Sequence, residues 1–145
     1  AHYAGIMILP QPFVKQKGAY TVMMRKPIIF IKRDLHPAMR SIVLAHELGH
    51  HFLHRQEAMQ SGGFHEFNLF DMQNNQMEYE ANVFAAQLKL PDEDVLECVY
   101  NGYDIAATAR ALHSDINLVA LKIAELNRRG YQLREQEYRN KFLKS

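Results

Sequence analysis

Two histidines four residues apart, His46 and His50, enclose a glutamate in the run His46-Glu47-Leu48-Gly49-His50. On an α-helix, residues at that spacing project from one face, so both imidazoles can reach one divalent ion, zinc at about 2.0 to 2.1 Å. Glu47 is turned about 100° from the first imidazole, which sets its carboxylate beside the ion's open position. A carboxylate there can take a proton from a water molecule that the metal acidifies, which is the chemistry of metal-assisted hydrolysis. Helical context is what separates such a site from a chance match.

Two imidazoles are too few, because a catalytic zinc takes three protein ligands and keeps one position for water or substrate. The metzincin pattern would place His at position 56 and Gly at position 53; those residues are Gln56 and Leu53, and the pattern fails. Glu78, in Glu78-Tyr79-Glu80-Ala81-Asn82, is the better third ligand. At helical period Glu78, Ala81, Asn82 and Ala85 share a face of small residues, which lets that helix approach the first closely. Asn82, one turn after Glu78, is then placed to orient a ligand imidazole. Glu80 is expected to point roughly 200° away.

The elements that must position these side chains are legible in outline. Alternation around Tyr20, Val22 and Met24, then the apolar run Ile28 to Ile31 after Pro27, predicts two short antiparallel strands. Pro37 opens a helix that runs to about His54. Met39, Ile42, Val43, His46, His50 and Leu53 share one side of it and Leu44, Leu48 and Phe52 another, so it belongs in the middle of a small domain. Arg55 to Gln76 reads as irregular, either a flap over a groove or a surface loop whose Phe64, Phe67, Leu69 and Phe70 tuck into the core. Helices follow from Met77 to Leu88, from Pro91 and Asp92 to Tyr100, from Asp104 to His113, and from Asp115 to Arg129. The expected architecture is a single α+β domain, mainly helical, with a small N-terminal antiparallel sheet. It divides into a sheet region (1–36), a zinc-binding core (37–91) and a C-terminal helical subdomain (92–145). The edge strand, placed at Ile28 to Ile31, would pair with an extended substrate backbone.

The run HELGHH, followed by Glu78-x-x-Ala81-Asn82-x-Phe84-Ala85-Ala86-x-Leu88 and Pro91, resembles the ImmA/IrrE family of metallopeptidases. These motifs cover residues 46 to 91. The strand pair before them and the helices after them match the family layout more loosely. The resemblance implies a gluzincin-like site with His46, His50 and Glu78 as zinc ligands, and helix-turn-helix transcriptional repressors as substrates. It also implies a setting in phages, mobile elements or toxin-antitoxin-like loci. Family members end the second helix with Leu-Leu-x-Pro, whereas Leu88-Lys89-Leu90-Pro91 stands here.

Other side chains compete for roles. His54, about 40° from His50 on the helix, either donates to an oxyanion or packs beside the site, with packing favoured, and His51 reads as an ordinary surface histidine. His65, Tyr79, Tyr100 and Tyr103 are possible electrophilic donors that no spacing distinguishes. The 145 residues carry 17 Lys/Arg and 16 Asp/Glu, and positions 41 to 100 hold ten acidic groups against two basic ones, which suits capture of a cation or a basic peptide but reads more readily as a solvated face. One cysteine, Cys98, precludes an internal disulfide, and no run of about 18 apolar residues is present, so a cytoplasmic, membrane-free location is expected. The helical pair from Asp104 to Arg129 has a helix-turn-helix outline, but only Lys122, Arg128 and Arg129 are basic on its second helix, so direct nucleic-acid binding is not expected.

The sequence therefore reads as a zinc-dependent endopeptidase with Glu47 as the catalytic base, acting on a DNA-binding repressor. The alternative is a catalytically silent zinc module that binds such a partner, as an antirepressor or toxin-antitoxin component. Oligomeric state is not encoded in any motif.

Overall fold

The computed structural model of the chain describes residues 2–3, 5–60 and 72–135. Four strands, β1 (His2–Tyr3), β2 (Ile6–Gln11), β3 (Gly18–Met23) and β4 (Lys26–Lys32), precede five helices. These are α1 (Pro37–Gln60), α2 (Met72–Lys89), α3 (Asp92–Tyr100), α4 (Ile105–Ala111) and α5 (Ile116–Arg128). The α+β class with a small N-terminal sheet and a helical C-terminal part is as expected from the sequence.

Alternation drives the sheet. Along β4 the inward residues Pro27, Ile29 and Ile31 are buried while Lys26, at the start, is exposed, and β3 buries Tyr20 and Val22 in step. β3 and β4 form the antiparallel hairpin that the sequence indicates, with Tyr20 opposite Ile29. The sheet extends further, because β2 joins β4 in parallel, pairing Ile8 with Ile29, and gives the order β1-β2-β4-β3. The β2 run Ile6-Met7-Ile8-Leu9 is short and interrupted by Pro10, so its strand character depends on its partner. Pairing on both sides also corrects the placement of the edge strand: β4 lies between β2 and β3, and β3 occupies the edge beside α1.

α1 is the centre of the molecule. Leu44 and Leu48 pack toward the sheet cluster of Ile6, Tyr20, Val22 and Ile29. Ile42, Val43 and Ala45 join Ala85, Ala86, Leu90, Val95, Leu118 and Ile123 on the helical side. Burying each large aliphatic of these sets is worth about 1.5 to 3 kcal/mol. The helix runs two turns beyond His54, to Gln60, with one non-helical residue, His54 itself, at φ −129° and ψ 22°. Phe52 and Leu53, expected on the buried sides, are half exposed, with Phe52 stacked on Phe84 at 5.8 Å between ring centroids. α2 begins at Met72, earlier than expected. Residues 61–71, including His65 and the aromatics read as a flap or tucked loop, lie outside the described residues.

The C-terminal helices start where capping side chains allow. Asp104 accepts from the amide of Ala107, and Asp115 accepts from those of Asn117 and Leu118. Lys122 is fully buried and donates to Asp92 Oδ1 at 2.5 Å and Gln87 Oε1 at 2.9 Å. Arg129 and Lys122 together hold the Asp92 carboxyl well below the usual carboxylate range. A cation committed inside the core cannot face a phosphate backbone, which removes one of the three basic residues of the helix-turn-helix outline.

One glycine sets the spacing of the two central helices. A Cβ on Gly49 would stand 3.1 Å from Ala81 Cα and 3.2 Å from the Ala81 carbonyl oxygen, backbone atoms that yield only if the helices part. Gly49→Val is therefore expected to lower stability by about 2 kcal/mol, read from urea unfolding. Gly49→Ala should be milder, since it recovers up to about 1 kcal/mol of helix propensity; a Gly49→Val protein as stable as the parent would contradict this account of the packing.

Candidate metal centre

The contact of α1 with α2 brings five buried polar side chains together, namely His46, Glu47 and His50 from α1 and Glu78 and Asn82 from α2. The two imidazoles stand edge to face, 4.9 Å apart between centroids, and both turn Nε2 toward one carboxylate. His46 Nε2 lies 3.1 Å from Glu78 Oε2 and His50 Nε2 lies 2.9 Å from Glu78 Oε1. On the far side of the first ring, His46 Nδ1–H donates to Asn82 Oδ1 at 2.8 Å, which leaves the Nε2 lone pair directed at the centre.

Two carboxylates thus flank the pair of imidazoles. His46, Glu47 and His50 each offer a ligand atom within 4.8 Å of the others, and Glu78 touches both rings directly. Glu47 Oε1 is buried and has no hydrogen-bond partner among the described residues. A buried carboxylate oxygen left so costs free energy that a neighbouring cation removes. Nitrogen and carboxylate donors converging in a buried place suit a divalent ion of the zinc type. The residues present fit a metal ion.

Electrostatics point the same way, because a metal takes the neutral imidazole. Burial pushes His50 down to about 4, against the upward pull of its hydrogen bond with Glu78. The ring is neutral at pH 7.

Three features escaped the sequence reading. His51 is half-buried and accepts from the Tyr20 hydroxyl at 2.9 Å, because that side of α1 faces β3 instead of solvent. Burial pushes Tyr20 up to about 12, so the hydroxyl stays protonated and donates. Glu80 does not simply point away: its Oε1 accepts from His54 Nε2 at 2.8 Å, and His54 is buried, as the packing reading expected. Gly18, at the start of β3, faces Glu47 so closely that a Cβ there would lie 3.0 Å from Glu47 Oε2 and 2.6 Å from Val43 Cγ1. Neither His51 with Tyr20 nor Gly18 with Glu47 has a spacing that a single sequence exposes. The interval of four between His50 and His54 was visible, but the link to Glu80 depends on how α1 and α2 cross. Among the tyrosines, Tyr79 donates to Glu125 and accepts from Arg128. Tyr100 and Tyr103 are exposed around the end of α3.

A pH dependence follows for the metal-free protein. An unfolded imidazole titrates near about 6.5, whereas folded His50 does so at about 4. Between those values the unfolded state binds more protons, so stability falls as pH falls. Chelator-treated protein should lose up to about 3 kcal/mol of unfolding free energy from pH 6.5 to pH 4. His50→Asn should flatten the curve, and a curve already flat in the parent would contradict the burial argument.

The chain matches the peptidase family described as the IrrE N-terminal-like domain over residues 1–124. It is also similar to the uncharacterized immunity region protein 2 of Bacillus phage phi105, at 36% identity over 93 residues. That match covers 63% of this chain and 56% of the phage protein, so the matched stretch spans little more than half the relative's length. The family match takes in the sheet, both helices of the centre and most of α5. The chain belongs to the family of IrrE N-terminal-like domains.

Proposed function

We propose that the chain is a zinc-dependent endopeptidase whose metal is held by His46, His50 and Glu78 and whose general base is Glu47. The observation that carries this reading is the meeting of both Nε2 atoms on the Glu78 carboxylate while Glu47, buried alongside, keeps one oxygen without a partner among the described residues. Glu78 is preferred to Glu47 as the third ligand because it contacts both rings, whereas Glu47 is turned round α1 from them. Zinc bound there supplies Lewis-acid polarisation of a peptide carbonyl and acidifies a water molecule.

The chain's own groups do the rest. Glu47 takes the proton of the attacking water and returns it to the departing amine. Asn82 holds the His46 ring by accepting its Nδ1–H, and so keeps the opposite nitrogen available. Among the described residues β3 has one strand neighbour, β4, and its first residue, Gly18, adjoins Glu47. An extended peptide added to that edge would pass the base, which transfers to β3 the docking role first assigned to Ile28 to Ile31.

The substrate class we propose is a DNA-binding repressor of helix-turn-helix type, supported by the ImmA/IrrE resemblance and by a relative named for a phage immunity region. The setting we propose is the cell interior, where a DNA-binding substrate would be met; no helix among the described residues is long and apolar enough to cross a membrane.

Purified protein incubated with the repressor encoded beside its gene, with and without a chelator, tests the proposal. Cleavage that the chelator abolishes is expected. Glu47→Gln should retain metal and lose at least about a hundredfold in rate, and Glu78→Ala should lose metal itself. Binding of the repressor without any cut would instead favour the silent module, and wild-type turnover by Glu47→Gln would remove Glu47 from its role.

A further inference from the structure

Behind His50, on the side away from Glu78, a chain of two hydrogen bonds leads to the surface. His50 Nδ1 and His54 Nδ1 are 2.9 Å apart, His54 Nε2 and Glu80 Oε1 are 2.8 Å apart, and Glu80 Oε2 is reached by Gln76 Nε2 at 3.4 Å. His50 and His54 are buried, while the Glu80 side chain is 42% exposed. The break in helical geometry at His54 falls on the residue that joins the other two. Asn82 does for His46 in one step what these residues do for His50 in two.

Counting hydrogens gives the direction for a His50 ring that holds a metal through Nε2. Each of the two bonds needs one hydrogen, and a carboxylate can only accept, so His54 Nε2 carries the second. With Nε2 given to the ion, a neutral His50 carries its hydrogen on Nδ1, so the first bond runs from His50 Nδ1–H to His54 Nδ1. His50 Nε2 itself lies 2.9 Å from Glu78 Oε1, and a relay that takes the hydrogen on Nδ1 favours the tautomer a metal ligand requires.

We infer that His54 and Glu80 are positioning residues, a relay that sets the tautomer and orientation of His50 and so strengthens its hold on a metal ion. The inference rests on the proposed His46, His50 and Glu78 site. Neither residue is among the proposed metal ligands, and His54 reaches the site through His50 Nδ1. Glu80 polarises His54, and His54 polarises His50. The role differs from both readings the sequence offered for His54, and it gives Glu80 an influence on metal affinity that its position on the helical wheel does not suggest.

The test is the zinc dissociation constant of the full chain, measured by competition with a chromophoric chelator, together with the visible spectrum of the cobalt(II) form. Glu80→Ala, at a half-exposed position, folds irrespective of the proposal and should weaken zinc at least about threefold, while His54→Leu should weaken it about 10- to 100-fold, the range for groups that orient ligand imidazoles. His54→Gln, which keeps an acceptor for His50 Nδ1–H, should restore much of the loss. Glu80→Ala added to His54→Leu should cost nothing more, which identifies an effect transmitted through His54 and which general destabilisation would not reproduce. Cobalt bands should shift in His54→Leu. A parent that binds zinc stoichiometrically while Glu80→Ala and His54→Leu bind it as tightly overturns the relay and leaves the site standing. A parent that binds no zinc overturns the site, and the relay with it.

Discussion

The close crossing of α1 and α2 at Gly49 and Ala81 is the constraint on which the centre depends. The His46 and His50 imidazoles on α1 and the carboxylate and amide on α2 meet because no bulky side chain stands between the helices at that point. The crossing is sustained from both sides: the sheet presses Leu44 and Leu48, and α5 with α3 presses the alanine face of α2 through Leu118, Ile123 and Val95. Packing energy that has nothing to do with catalysis holds five polar side chains where water cannot compete for them.

Burying so many ionisable groups is costly unless each finds a partner, and most of them are paired off across the helix contact. Asn82 takes one ring, His54 and Glu80 take the other, and Glu78 faces both. Glu47 Oε1 is also buried there, with no hydrogen-bond partner among the described residues. An oxygen so placed is consistent with the general-base role proposed for Glu47.

How much of this was readable in the sequence depends on whether a feature is local. His46, Glu47 and His50 lie within a turn and a half of one helix, so their spacing places them. The caps at Asp104 and Asp115 are likewise local, and the helices begin beside them. β2 was missed because a six-residue run containing a proline becomes a strand only through its parallel partner, and that partner also changed which strand is the edge. His51 and Glu80 were misread for a related reason: a helical wheel gives a direction but not what lies there, and β3 stands beside one residue and His54 beside the other. Lys122, one of the three basic residues counted on the second helix of the C-terminal pair, is buried against Asp92 and Gln87, which no local pattern shows.

X-ray absorption at the zinc edge of the purified, zinc-loaded protein tests the central claim most directly. Two imidazole nitrogens at about 2.0 to 2.1 Å and carboxylate and water oxygens at about 2.0 to 2.2 Å, with one imidazole lost in His50→Ala, is the predicted result. A first shell of fewer than two imidazoles, or one unaltered in both His50→Ala and Glu78→Ala, would contradict the account.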